Sequence, residues 1–353
     1  MAVTIKDIAK RSGYSFATVS RALNDRYGID PKTLKKIKAV AEEMGYRPNQ
    51  IAKSLVSRKT KTIGLIVPDL ANPFFSTLLF HIKSLADAAD YSLLICMSAW
   101  DPAKEEHELK LLFERRCDGI LLYPSDPIDA KALDLYKIPI CVFTDQEDDR
   151  GQVFFVGIDN EYGGEIATQH LFDQGYKRPA FLGGNQHSAS SIARCRGYEN
   201  ICNKQKVNLP EAFISTGAFT IDSGYDRART LLAMEPDIRP DAFFCANDLI
   251  AMGAMEAVTL DGLRVGADIG IVGVDNVIYA GLPQIRLTTM DIPLAELAKR
   301  GWLELMDLLA ENGDKKETSD EKKASSSEEK QANSLLEPTL VIRETTDKSR
   351  RKK

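Results

Sequence analysis

Thr4-Ile-Lys-Asp-Ile-Ala-Lys-Arg-Ser-Gly-Tyr-Ser-Phe-Ala-Thr-Val-Ser-Arg-Ala-Leu-Asn24 decides how the chain begins. Thr4 and Asp7 are spaced as a capping box, in which each side chain bonds the other's backbone N–H. Ile5, Ile8 and Ala9 follow at helical spacing and Gly13 stops the helix. Ser15 can cap a second helix from Phe16 to Asn24, with Val19, Ala22 and Leu23 inward. A third helix opens at Asp30-Pro31, a capping residue before a proline at the first helical position, and closes before Gly45. Its apolar stripe is Leu34, Ile37, Ala41 and Met44. Two short helices joined by a glycine turn form a helix-turn-helix, whose second helix enters the DNA major groove. That helix turns Phe16, Ala17, Ser20 and Arg21 outward. Arg21 can donate two hydrogen bonds to guanine, and Phe16 and Ala17 can lie against thymine methyls. The plainer alternative packs Phe16 on its own domain and leaves Arg21 as a surface cation.

Charge separates this head from the rest. Residues 1–60 carry thirteen Lys/Arg and five Asp/Glu, a formal +8, whereas the remaining residues carry −13 of the overall −5. A basic head on an acidic body is the electrostatic footprint of a nucleic-acid reader with a separate sensor. The 353 residues, 44% hydrophobic and 27% charged, describe a globular chain of two or three domains. No apolar run approaches the ~18 residues of a membrane span. MAVTIKDIAK has no signal-peptide core, so a cytoplasmic location is expected. Cys96, Cys117, Cys141, Cys195, Cys202 and Cys245 lack CxxC spacing and read as buried free thiols.

A linker, 47–60, follows the head (1–46). Asn49 can cap a short helix there, and Ile51, Ala52, Leu55 and Val56 give it an apolar edge, but it is too short to be stable alone. From Thr62 strand-like runs alternate with helical stretches: 62–67, 91–97, 118–123 and 139–144, then a second series at 153–158, 178–184, 212–217, 241–246 and 269–275. Repeated βα units imply parallel sheets covered on both faces, with ligands at the carboxyl ends of strands between two lobes. The expected body is 61–346, lobe 1 being about 61–159 and 292–312 and lobe 2 about 160–291 and 335–346. A helix over Pro293–Leu309 returns to lobe 1, and EPTLVIRE (337–344) adds a late strand to lobe 2. Residues 311–334 hold seven acids, five lysines and no aromatic, the composition of a mobile loop. A frayed basic tail, 347–353, closes the chain.

TIKDIAKRSGYSFATVSRALN, then YRPNQIAKSL and TKTIGLIVPDLANPFF, then VGIDNEYGGEIATQHL, RPAFLGG, CANDLIAMGAM, IGIVGVDN and LTTMDIP, closely resemble the LacI/GalR family of bacterial transcriptional repressors. The resemblance runs from Thr4 to about Thr345, and the long 311–334 segment departs from it. It implies a helix-turn-helix head on a periplasmic-binding-protein-like body, working as a homodimer on operator DNA. The implied DNA contacts are Thr4, Ser15, Phe16, Ala17, Thr18, Ser20, Arg21 and Asn24 in the head and Asn49, Ala52 and Leu55 in a hinge helix. Leu55 matches the leucine that wedges into the minor groove and kinks the duplex. Effector contacts are expected at Asp69, Asn72, Phe74, Phe75, Asp145, Arg194, Phe219, Asn247 and Asp275. Capping, ion pairing or core packing is the simpler role for each.

Arginine, aspartate and asparagine above an aromatic floor suit a sugar or sugar phosphate, with a purine as the alternative. No cofactor or metal is expected. GxGxxG, P-loop, GxSxG and HExxH motifs are absent, and His81, His107, His170 and His187 form no cluster, which argues against an enzyme. A solute-binding protein would lack the basic head. A phosphocarrier protein is a further conceivable partner within the regulator class.

Overall fold

The computed structural model describes residues 3–23, 28–47, 59–145, 153–208, 210–314 and 335–349. Contacts divide the chain into a unit ending at Thr60 and a unit beginning at Lys61. The first holds α1 (Ile5–Ser12), α2 (Phe16–Leu23) and α3 (Pro31–Glu43). Thr4 and Asp7 close the capping box, and Asp30 accepts from Thr33 N–H ahead of Pro31. Ile8, Val19, Ala22, Ile37 and Ala41 form the core on which the three helices converge, with Leu23, Leu34 and Met44 packed around it.

The second unit contains two sheets. The first comprises β1 (Thr62–Val67), β2 (Ser92–Met97), β3 (Gly119–Leu122), β4 (Ile140–Phe143) and β5 (Val153–Val156), in the order β2-β1-β3-β4-β5. All its strands are parallel. α4 (Pro73–Ala88), α5 (Pro102–Glu114) and the short α6 (Ala130–Asp134) connect them. The second sheet comprises β6 (Pro179–Leu182), β7 (Ile214–Ser215), β8 (Ala242–Cys245), β9 (Gly270–Asp275), β10 (Thr288–Asp291) and β11 (Thr339–Val341), in the order β11-β10-β9-β8-β6-β7. Only β11 runs antiparallel to its neighbour. α7 (Asn160–Asp173), α8 (Ala189–Lys204), α9 (Ile221–Leu232) and α10 (Asp248–Leu260) cover it, while α11 (Leu294–Asp314) packs against α4, β3 and β4 of the first lobe. The strands are apolar nearly throughout because both faces are covered.

Four expectations are corrected. Residues 153–156 belong with the first run of strands, not the second, and lie within the expected lobe 1 bound at 159: β5 pairs with β4 and forms the edge of the first sheet. LTTMDIP contains a strand, β10, which the expected strand runs do not include. Its Thr288 and Thr289 are buried because their hydroxyls are hydrogen-bonded, which lets polar residues occupy a sheet interior. α11 continues through Glu311 to Asp314, so the loop-like composition starts inside a helix; residues 315–334 lie outside the described residues. The tail is anchored through residue 349: Lys348 donates to the Gly175 carbonyl and lies 4.4 Å from the centre of the Tyr176 ring.

The chain crosses between lobes near Gly157–Asn160, again after β10, and again near Leu336. The first and third crossings are tied: Leu336 N–H donates to Gly157 at 2.9 Å and Asp159 N–H donates to Leu336 at 2.9 Å. The strand orders reverse at β1 and β3 in one sheet and at β6 and β8 in the other. Loops leaving these strand ends diverge there and leave a crevice.

Candidate functional site

Two surfaces carry the chemistry. On the head, Phe16 is 53% exposed and stands outside the cluster that forms the head's core. Ala17 and Arg21 are exposed and Ser20 is half-buried. Spacing of one helical turn aligns Phe16 with Ser20 and Ala17 with Arg21, giving α2 a mixed apolar and cationic edge. Ser15 Oγ accepts from Thr18 N–H at 3.1 Å and bonds the Thr18 hydroxyl at 2.9 Å, so these two residues cap α2. Thr4 does the same for α1; its hydrogen bonds hold the exposed Asp7 carboxyl below the usual carboxylate range. Asn24, Asn49, Ala52 and Leu55 lie outside the described residues.

The second surface is the interlobe cleft, which has two compartments. The smaller is lined by Asn72, Phe74, Phe75, Trp100, Tyr123, Ser190, Arg194, Phe219, Asn247 and Asp275. The larger shares Tyr123, Ser190 and Arg194 and adds Asp126, Asp145, Asn160 and Ser188. Eight of the nine expected effector residues are thus brought together. Asp69 is not among them: its Oδ1 accepts from Ala71 N–H at 2.8 Å and shapes the turn after β1. Asn72 lines the cleft, yet its Oδ1 accepts from Phe74 N–H at 3.0 Å, so it also caps α4.

Arg194 is the buried cation of the cleft. Its Nε donates to Asn160 Oδ1 at 3.0 Å and its Nη1 to the Ala246 carbonyl at 2.5 Å. Among the described residues no hydrogen bond uses Nη2. Two donors fix the plane of the guanidinium, and the remaining edge can serve a ligand. Gly164 makes this placement possible. A Cβ there would strike the Arg194 carbonyl, so glycine lets α7 and α8 cross closely enough for Asn160 to reach Arg194.

Asp275 ends β9 with φ 111° and Asn276 follows at φ 50°, a strained turn that aims the carboxyl into the cleft. Burial pushes that carboxyl up to about 7, against the pull of Arg194. Burial likewise raises Asp145. Behind Asp275 stands Asp248, wholly buried. It accepts from Val277 N–H at 2.8 Å and from the Thr289 hydroxyl at 2.5 Å, and it is held well above the usual range by burial and then by Asp275. Asn247 caps α10 through Ile250 N–H at 2.9 Å and donates to the Phe219 carbonyl at 3.5 Å, fixing the loop that carries that ring.

Sequence reasoning missed Trp100, Tyr123, Asn160, Ser190 and Asp126. Tyr123 follows β3 directly, and the same strand-end rule that found Phe74 finds it; Asn160 stood in the quoted VGIDNEYGG motif. Nothing in the residues flanking Trp100 predicts that its ring reaches the other lobe.

Residues 4–49 match the family model for bacterial regulatory proteins of the lacI family, and residues 168–346 match the periplasmic binding protein-like domain. Catabolite control protein A of Priestia megaterium is 31% identical over 299 residues, covering 84% of this chain and 90% of that protein. Among solved structures, the lac repressor dimer bound to operator and the anti-inducer ONPF superposes with a TM-score of 0.81 at 27% identity, covering 98% of this chain and 99% of that one. A complex of the transcriptional regulator CelR with cellobiose gives 0.68 at 26% identity, covering 97% and 99%.

Proposed function

The chain belongs to the lacI family of bacterial regulatory proteins, and from that premise we propose that it is a homodimeric repressor whose operator affinity is set by an unphosphorylated sugar held between the lobes. The observation that carries the sugar is the charge balance of the cleft. Among the described residues, its ionisable acids and bases are one arginine, Arg194, against the carboxyl groups of Asp126, Asp145 and Asp275. Sugar hydroxyls can donate to such carboxylates and accept from Arg194, while Phe74, Phe75 and Tyr123 offer apolar faces to a ring. A phosphate would bring about two negative charges beside three carboxyl groups, with Arg194 the one described cation lining the cleft to receive them. The cellobiose complex of a structural neighbour supports the same class.

DNA reading falls to the outer edge of α2, with Arg21 the base-reading cation and Phe16 and Ala17 the apolar contacts. Leu55 of the linker is assigned the minor-groove wedge by its place in the motif. A ligand controls the operator only through different affinities for two lobe arrangements. The crossings joined through Leu336 are the natural pivot for such a change.

A second reading, a purine, is favoured by the number of aromatic rings around the smaller compartment. A thermal-shift panel of monosaccharides, disaccharides, their phosphate esters and purine bases separates the two, since a cleft ligand raises apparent stability. Stabilisation by neutral sugars alone is expected; stabilisation by purines alone replaces the sugar reading.

A further inference from the structure

Trp100 belongs to lobe 1 and Phe219 to lobe 2, yet their rings stack across the cleft with centroids 4.9 Å apart and planes 25° apart. On its other side Trp100 meets Phe75 edge-on at 5.9 Å. Phe75 and Phe219 are buried, whereas Trp100 is half-buried, so the indole is the ring that stands between the cleft and solvent.

The backbone holds it there under strain. Ala99 and Trp100 are both left-handed, with φ 54° and 58°, a conformation that bulky residues rarely adopt. Anchors on either side impose it. Ser98 N–H donates to Val67 and Ala99 N–H to Pro68, each at 3.0 Å, and Ser98 Oγ bonds the buried Ser125 hydroxyl at 2.9 Å. Asp101 N–H then donates back to Ser98 at 3.0 Å, while the Asp101 side chain caps α5 through Ala103 N–H at 2.9 Å. The loop is therefore pinned to the end of β1 before Trp100 and to α5 directly after it. A relaxed path between the same anchors would point the side chain elsewhere.

We infer that Trp100 is the gate and a size-selecting residue of the effector site: its indole closes the cleft by stacking on Phe219 and gives up that partner to a ligand that enters. The inference rests on the cleft being the effector site. It adds a role for a ring that no motif marked, and it predicts that ligand size is limited at this edge of the smaller compartment.

The full-length chain tests it. The sequence holds two tryptophans. The other, Trp302, is buried beside Tyr91, so Trp302→Phe leaves Trp100 as the only indole. Acrylamide quenching is measured first, with no ligand added. Adding Phe219→Ala to Trp302→Phe is expected to raise the quenching constant by about twofold to tenfold, the equilibrium worth of one aromatic pair. Phe219→Leu serves if the alanine variant melts early. Equal quenching with and without the Phe219 ring overturns the gate. Thermal shifts with D-glucose and with cellobiose follow, on wild type, Trp100→Leu and Trp100→Phe. Trp100→Leu is expected to move the affinity ratio toward cellobiose by about tenfold, with Trp100→Phe between it and wild type. An unchanged ratio overturns the size-selecting role. Failure of both sugars to stabilise any of the three proteins sinks the sugar reading, and the ligand-free comparison still decides the gate.

Discussion

Arg343 donates from Nη2 to Oδ1 of Asn276 at 2.7 Å, and Asn276 in turn donates to Asp291 at 2.8 Å. The segment after β11 thereby props the left-handed turn that holds Asp275 in the cleft. A second donor, Arg343 Nη1 to the Leu287 carbonyl at 2.6 Å, fixes the guanidinium. Arg343→Ala is expected to weaken effector binding severalfold although Arg343 lines neither compartment. Its melting temperature should also fall, because a hydrogen bond from a charged group contributes about 1.5–3 kcal/mol. Calorimetric titration with the sugar identified by the thermal-shift panel checks this, and unchanged affinity would show that the turn holds itself.

Asp275 gives the effector response a pH dependence. Its carboxyl titrates near 7, far above its value in an unfolded chain. Sugar hydroxyls donate to the ionised form, so apparent affinity should weaken about tenfold per pH unit below that value. Protein stability runs the other way. A raised carboxyl binds a proton in the native state that the unfolded chain has released, so stability falls as pH climbs from about 4 to 7. Asp275→Asn should flatten the binding profile and lessen the stability slope, the remainder of which Asp248 and Asp145 carry. Melting curves and binding isotherms across pH 5–8 read the two slopes, and parallel slopes in wild type and variant would exclude Asp275.

Removing the cation of the cleft should abolish the effector response. Arg194→Ala leaves the Asn160 amide oxygen and the Ala246 carbonyl without their donor, so some loss of stability is expected with it. Arg194→Lys keeps the charge but cannot serve Asn160, Ala246 and a ligand in one plane, so it too should lose most of the affinity. Wild-type affinity in the lysine variant would reduce Arg194 to a charge.

Legibility divided along a physical line. Caps, helix periods and apolar runs are local, and the capping box at Thr4, the Asp30-Pro31 start and the strands through β4 follow from neighbours in sequence. Arg194 and Asp275 are legible by motif, and both line the cleft. Asp69 went astray because an aspartate after a strand shapes a turn as readily as it binds a ligand. β5 falls inside the expected lobe 1 bound, but its pairing with β4 is a long-range choice that an apolar run does not encode, so the strand run alone sets it with the second series. Trp100 depended on anchors at Val67, Ser125 and α5, none of which is visible in the residues beside it.

On the DNA side, Arg21→Ala should cost about 1–3 kcal/mol and relax the preference at one base pair in each half-site. Selection from a randomised operator reads this, and an unchanged consensus would remove Arg21 from the base-reading set.

Leu55→Ser should lower operator affinity while leaving non-specific binding nearly unchanged, because serine cannot bury the surface that offsets unstacking, a few kcal/mol per step. Circular-permutation mobility should show a straighter operator with the variant; equal bending would end the wedge assignment.

α11 reaches the first lobe from beyond the second, and it closes against β4 where Gly301 leaves room for the Phe143 ring. On the ribosome, therefore, β1 to β5 emerge well before the helix that covers part of their sheet, and all of the second lobe's sheet except β11 is made in between. A nascent chain stopped before Leu294 carries a complete DNA-reading head on a lobe whose sheet is still partly bare. Premature termination anywhere in the second lobe then yields a species that can hold DNA while exposing apolar strand faces, a substrate for chaperones and proteases rather than a smaller working regulator.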